Sequence, residues 1–265
     1  MEVMSVIGVI GGSGLYKIEG LSVKGSETVN TPYGSPSDRY TLAELGGRRV
    51  IFLPRHGSKH TIPPHMINYR ANIWGFKMLG AKRIISISAV GGIKKGFKPG
   101  DIVILEQIID MTRSRKSTFY NGDEGVIHID FTEPYCPELS HTILKAGRKT
   151  GINVKKGGTY VAVDGPRLET AAEIRGFKAL GGNLVGMTGM PEASLAREIE
   201  ICYAGISVVA NYAAGITNKR LTTSEVIEVM TATAESLKEL LKETILLIPD
   251  ERGCLCGESL KDAKI

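Results

Sequence analysis

A chain of 265 residues with 42% hydrophobic residues, 23% charged residues and a formal net charge of +5 has the composition of a globular protein, not of a disordered or low-complexity one. Its length suits one large α/β domain. No basic run argues for nucleic acid, and no apolar stretch approaches the roughly 20 residues of a membrane span. The opening MEVMSVIGVI has an acidic second residue and runs straight into glycines, unlike a secretory leader, so a cytoplasmic location is expected.

In chain order, the β-branched run 6–10 predicts a strand and is followed by Gly11-Gly12-Ser13-Gly14. A second strand over 50–53 leads into Pro54-Arg55-His56-Gly57, and a helix is expected over 64–79. Strands over 83–88 and 101–108 follow, then an aperiodic stretch, 112–137, too long for a simple connection and so expected to be a functional or interface loop. A helix over 137–150, a strand over 159–163, a helix over 170–180 and a strand over 183–186 come next. The pattern closes with a helix over 191–204, a strand over 206–211 and a helix over 224–247. Thr170, Pro191-Glu192 and Ser224-Glu225 carry helix-start chemistry. Strands spaced by helices predict a mostly parallel sheet covered on both faces. With no Pro- or Gly-rich linker and no repeat, residues 1–265 form one domain ending in a tail from about 250.

Glycines, polar residues and histidines collect after the predicted strands, at Gly11–Gly14, Arg55-His56, Ser88-Ala89, Met187-Thr188 and Asn211-Tyr212-Ala213. In parallel sheets, sites form where such carboxyl ends meet. Ser13 is not in a G-x-S-x-G nucleophile elbow, because Leu15 stands where the last glycine belongs. Lys17 likewise replaces the third glycine of a dinucleotide fingerprint. Backbone amides beside a small hydroxyl suit a phosphate, although taken alone the segment reads better as a tight turn around a buried serine, because short Gly-rich turns are common. Arg55 offers a planar fork of donors to phosphate, and His56 offers a further donor or a proton near neutrality.

His56, His60 and His65 fit no zinc spacing, and no metal is expected there. Glu169 reads either as an acid favoured by a helix N-terminus or as an acceptor for a polar ring. Asn211 either turns the chain or offers a donor and an acceptor to a heterocycle. Of the cysteines at 136, 202, 254 and 256, the pair Cys254-Leu255-Cys256 is by itself half a metal site. Two free thiols, or a short-range disulfide in a hyperthermophile, are the alternatives left open.

Taken together, Ile10–Leu15, Pro54-Arg55-His56-Gly57, Tyr69-Arg70-Ala71-Asn72-Ile73-Trp74, Pro99–Val103, Gly165-Pro166-Arg167 and Gly186–Glu192 resemble the methylthioadenosine phosphorylase and trimeric purine nucleoside phosphorylase family. The resemblance covers nearly the whole chain in order. It implies a single α/β domain on a mixed, partly barrel-like sheet flanked by helices, assembled as a homotrimer or a dimer of trimers. It also implies that Ser13, Arg55, His56 and Thr188 hold phosphate beside Ser88 and Ala89, and that Met187 lies under the ribose. His60, Thr223 and Val226 would approach the 5′ position, while Asn211 faces the purine within a pocket that takes in Leu168, Glu169, Tyr212 and Ala213.

Adenine-selective members carry aspartates at the positions of Asn211 and Ala213. The pair Asn211 and Glu169 instead resembles the 6-oxopurine enzymes. The chemistry agrees, since the N1–H of hypoxanthine or guanine can be accepted by Glu169, while adenine presents only an acceptor there. The expected activity is reversible phosphorolysis of inosine and guanosine to free base and ribose 1-phosphate in purine salvage. His56, Glu169 and Asn211 are expected to be catalytic. Inorganic phosphate is the co-substrate, with no organic cofactor or metal. The alternatives are a 5′-methylthioadenosine or 5′-methylthioinosine phosphorylase, a hydrolase using water, and a non-catalytic purine nucleotide sensor.

Overall fold

The computed structural model describes residues 6–12, 17–123 and 125–265. Its centre is strand β1, Val6–Gly11, buried along its whole length. It pairs in parallel with β4, Arg48–Pro54, on one side and with β5, Ala81–Gly92, on the other. Gly8 has a packing reason: a Cβ there would lie 2.7 Å from the ring of Phe76. Phe76 belongs to helix α1, Tyr69–Met78, which therefore sits directly on the sheet.

Five strands close on themselves. After β5 come β6, Ile102–Asp110, β7, Val154–Ala162, β8, Leu184–Gly186, and β9, Cys202–Tyr212. The order β5-β8-β7-β6-β9 is joined back by the pairing of β5 with β9. Two seams, β5–β8 and β6–β9, are antiparallel and the other three are parallel. The barrel is therefore mixed, as the family resemblance implies, and the mostly parallel sheet expected from strand–helix alternation is corrected. Closure leaves these strands no free edge.

Outside the barrel, β2, Ser22–Glu27, and β3, Tyr40–Leu45, extend the sheet antiparallel beyond β4. Every residue of β2 is exposed, so it has no hydrophobic alternation that a sequence reading could detect. Helices α2, Pro137–Thr150, and α5, Thr223–Leu247, cover one face through Leu139, Ile143, Leu240, Leu241 and Ile245. α1 and α4, Gly189–Glu198, cover the other through Ile73, Phe76, Leu195 and Ala196. α3 spans Ala171–Ala179.

The expected 64–79 helix begins later. Prolines 63 and 64 hold a 3-10 turn over Pro64–Met66, and Asn68 caps α1 by accepting from Ala71 N. The expected 191–204 helix stops at Glu198, and Glu200 has a left-handed φ of 62°. The apolar run after it is the first turn's worth of β9 rather than helix. No helix among the described residues is long and apolar enough to cross a membrane.

Candidate active site

The pairing of Gly11 with Pro54 sets the ends of β1 and β4 side by side, and Arg55 N donates to Gly11 O at 2.9 Å. Arg55 then turns inward and is buried. Its Nε donates to Glu192 Oε1 at 2.5 Å and its Nη2 to Glu192 Oε2 at 3.0 Å and Ser86 Oγ at 2.7 Å. Nη1 donates to Ile87 O at 2.8 Å. Burial works against the charged guanidinium, but the charge and hydrogen bonds of Glu192 outweigh it and hold Arg55 above its ordinary value. The fork expected to meet phosphate is thus closed on a carboxylate. Among the described residues, one Nη1 proton of the five a guanidinium carries remains for a ligand.

His56 follows directly. Its Nδ1–H donates to Ile62 O at 2.8 Å, which leaves Nε2 as the acceptor nitrogen of the neutral ring, and its ring lies 4.6 Å from that of His60. Burial lowers the His56 pKa, the Arg55 and His60 charges add to that, and the Ile62 carbonyl opposes it. Ser88 Oγ lies 3.0 Å from Ser207 Oγ across the β5–β9 seam, and Ala89 beside it is exposed.

Thr188 is buried, and its hydroxyl makes no capping bond to α4. The backbone N–H groups of Thr188 and Gly189 both donate to Tyr160 Oη, at 3.0 and 3.3 Å. Gly186 makes room for that phenol, since a Cβ there would lie 2.3 Å from its oxygen. Met187 is pinned from two directions. Tyr69 Oη donates to its carbonyl at 3.3 Å, and its sulfur lies where a Cβ on Gly165 would fall. That contact ties the loop carrying Glu169 to the segment carrying Thr188.

At the end of β9, Asn211 is 6% exposed and pairs with Gly91, and Ala213 is buried behind it. Gly215 lies so close to Ala171 that a Cβ there would fall 2.6 Å from the alanine's Cβ, which brings the start of α3 against this strand end. Thr170 caps α3 reciprocally with Glu173, and Glu169 immediately precedes the cap. Burial is the largest influence raising the Glu169 carboxyl, with Glu173 adding to it and Arg167 opposing.

Arg55, Thr188, Asn211 and Ala213 are thus buried, and His56, Ser88, Met187, Glu169 and Tyr212 are half-buried around them. Leu168, His60 and Thr223 are exposed, His60 against the His56 ring, and Val226 is half-buried on the first turns of α5. Ser13 lies outside the described residues.

Three residues here escaped the sequence reading. Glu192 reads as an ordinary first-turn acid after a proline, and Tyr160 as one more apolar strand position. The third is Arg115, in the aperiodic loop. Its Nη2 donates to Val163 O and Asp164 O at 3.1 and 3.0 Å, and it lies over the Tyr69 ring. An arginine in a loop without periodicity was the available signal.

A closed mixed barrel with a polar cluster at its strand ends is the frame of a phosphorylase, and the chain matches the Phosphorylase superfamily over residues 6–246. It belongs to that family and is an enzyme of the nucleoside phosphorylase type, acting on purine nucleosides. It is 54% identical over 257 residues to the probable S-methyl-5′-thioinosine phosphorylase of Thermodesulfovibrio yellowstonii, covering 97% of this chain and 96% of that one. It is 52% identical to the 6-oxopurine nucleoside phosphorylase of Pyrococcus furiosus, covering 98% and 99%. A crystal structure of a methylthioadenosine phosphorylase from an antarctic soil metagenomic library superposes with a TM-score of 0.93 at 37% identity, covering 99% and 93%.

Proposed function

We propose that the enzyme catalyses the reversible phosphorolysis of 6-oxopurine nucleosides, inosine and guanosine, to free base and ribose 1-phosphate. The observation that carries this reading is the base end of the site. β9 ends in a buried amide, Asn211, backed by the methyl group of Ala213, and the nearby acid is Glu169. Glu169 accepts the N1–H of a 6-oxopurine, and the Asn211 amide donates to O6 or N7 as charge develops on the leaving base. Adenine in the same place leaves a carboxylate facing a ring lone pair, a mismatch that discriminates by orders of magnitude.

Phosphate sits at the ends of β1, β4 and β5 against the remaining Nη1–H of Arg55, His56, Ser88 and Thr188, with Ser13 at the glycine turn. As the glycosidic bond breaks, the anomeric carbon becomes oxocarbenium-like. The phosphate dianion below it stabilises that charge and then forms the C1–O bond. The chain supplies no nucleophile; it positions both reactants and places donors where charge appears.

A second reading, 5′-methylthioinosine as the preferred nucleoside, is favoured by Val226, half-buried on α5, and by the name of the Thermodesulfovibrio relative. A homotrimer or dimer of trimers is the assembly that the family resemblance implies. The test is initial-rate kinetics with inosine, guanosine, 5′-methylthioinosine, adenosine and 5′-methylthioadenosine, each with and without phosphate. Inosine, guanosine or methylthioinosine should lead by at least about tenfold in kcat/KM, and omitting phosphate should abolish turnover. Faster reaction of either 6-aminopurine nucleoside overturns the assignment of Glu169 and Asn211. Turnover without phosphate would mean a hydrolase.

A further inference from the structure

The half-site read in Cys254-Leu255-Cys256 is completed by the fold. Cys136 is the N-cap of α2, Cys202 opens β9, and Cys254 and Cys256 lie at the start of a 3-10 turn, Leu255–Glu258, in the C-terminal tail. The four sulfurs all lie within 4.8 Å of one another. All four are free thiols, and Cys202 and Cys254 approach to 3.3 Å, well beyond the roughly 2.05 Å of an S–S bond. Four sulfurs bound about 2.3 Å from one tetrahedral centre stand about 3.8 Å from each other. The separations in the cluster, 3.3 Å for the Cys202–Cys254 pair and at most 4.8 Å for the others, bracket that value.

Its surroundings suit thiolates. Leu139 N donates to Cys136 Sγ at 3.4 Å, and Arg197 Nη1 lies 3.8 Å from Cys256 Sγ. Cys136 also stands at the positive end of a 14-residue helix. The neighbouring acid, Glu138, is engaged by Gly253 N at 2.5 Å and by Arg83 Nη2 at 3.3 Å, so its charge is answered. Three of the sulfurs are buried and Cys254 is half-buried, which leaves one side for an ion to enter.

We propose that these four cysteines bind one divalent metal ion of thiolate preference, with Zn²⁺ as the best fit, in a closed site that fastens the C-terminal tail to the barrel. Each thiol gives its proton to solvent as its sulfur is ligated, and no electron transfer is involved. Four protein ligands leave no open position, so the site is structural and stands apart from phosphorolysis. What it secures is visible in the tail. Beyond the cysteines, Ala263 O accepts from His128 N at 2.8 Å and Ile265 N donates to Val126 O at 3.0 Å, joining the tail to the long loop that also carries Arg115.

The experiment uses the full chain, expressed with a removable tag free of histidine and purified under reducing conditions without chelator. Elemental analysis should find about one zinc per chain. Replacement by Co²⁺ should give the intense near-ultraviolet sulfur-to-cobalt band and the visible bands of a tetrahedral tetrathiolate. Cys254→Ser and Cys256→Ser should each lose the ion or bind it far more weakly, and a chelator should lower the Tm of the parent but not of these variants. Cys254 is the least buried of the four, so Cys254→Ser is the variant best placed to fold. Reduced protein that takes up no stoichiometric Zn²⁺ or Co²⁺ overturns the proposal. So do serine variants that keep it in full, or cysteines trapped at lysis by an alkylating reagent as two disulfides.

Discussion

Glu192 grips Arg55 through two parallel hydrogen bonds, Nε to Oε1 at 2.5 Å and Nη2 to Oε2 at 3.0 Å, with the carboxylate's residue fully buried. Ser86 Oγ and Tyr203 Oη donate to the same Oε2, at 3.2 and 2.8 Å, so one carboxylate organises three side chains. Removing one partner of such a pair strands a buried charge, at a cost on the order of 3–5 kcal/mol. Glu192→Gln should therefore lower Tm markedly. If Arg55 faces the phosphate, added phosphate supplies the missing countercharge, and the Tm gain at saturating phosphate should be larger in Glu192→Gln than in the parent. Thermal melts of both proteins across a phosphate series check this; equal gains would place Arg55 away from the anion.

Tyr160→Phe tests the other side of the phosphate site. The phenol oxygen is the acceptor for two buried backbone N–H groups, Thr188 and Gly189, and groups left unpaired cost about 1–3 kcal/mol. Beyond that stability loss, Thr188 is no longer held. The expected kinetic result is a rise in KM for phosphate of about tenfold with a smaller change in KM for the nucleoside. Equal changes in both would indicate a general loosening of the barrel.

The legible parts of this molecule were those with local signatures. Helix α2 spans the 137–150 that the sequence predicts, because Pro137 opens it and Gly151, in the left-handed conformation at φ 72°, closes it. Asn211 and Thr188 were marked by polar residues appearing where apolar strands end. What could not be read was set by distant partners. Barrel closure depends on β5 meeting β9, which no local pattern encodes. β2 exists only because β3 offers it an edge. Glu192 and Tyr160 acquire their roles from residues far away in sequence, and the cysteine cluster from three separate elements.

His56 carries a prediction about protons. Its Nδ1–H is committed to the Ile62 carbonyl, so only a protonated ring can donate from Nε2 to phosphate. Burial first, and then the Arg55 and His60 charges, lower its pKa from the ordinary 6.5, so the free enzyme at pH 7.5 holds His56 mainly neutral. A dianion placed beside it favours the imidazolium and raises that pKa. Phosphate binding at pH 7.5 should therefore take up protons. Calorimetry in buffers of different ionisation enthalpy measures the uptake, and His56→Asn should reduce it. An unchanged value in that variant would assign the proton to another group.

Glu169 links pH to the choice of base. Burial above all raises its carboxyl above the ordinary 4.5. The ionised form accepts the N1–H of a 6-oxopurine; the protonated form donates, which suits the N1 lone pair of adenine. As pH falls toward the raised value, kcat/KM for inosine should fall, while adenosine loses less or gains. The ratio of inosine to adenosine turnover should therefore decrease from pH 7.5 to pH 5, with its midpoint above the ordinary glutamate range. Glu169→Gln removes the titrating group and can present either an oxygen or an NH₂ to N1. It should lower inosine kcat/KM by about 10²-fold or more at pH 7.5 and flatten the ratio's pH dependence. Steady-state rates for both nucleosides across pH, with circular dichroism at each pH to confirm the fold, measure it. A ratio as steep in Glu169→Gln as in the parent would move base selection to another residue.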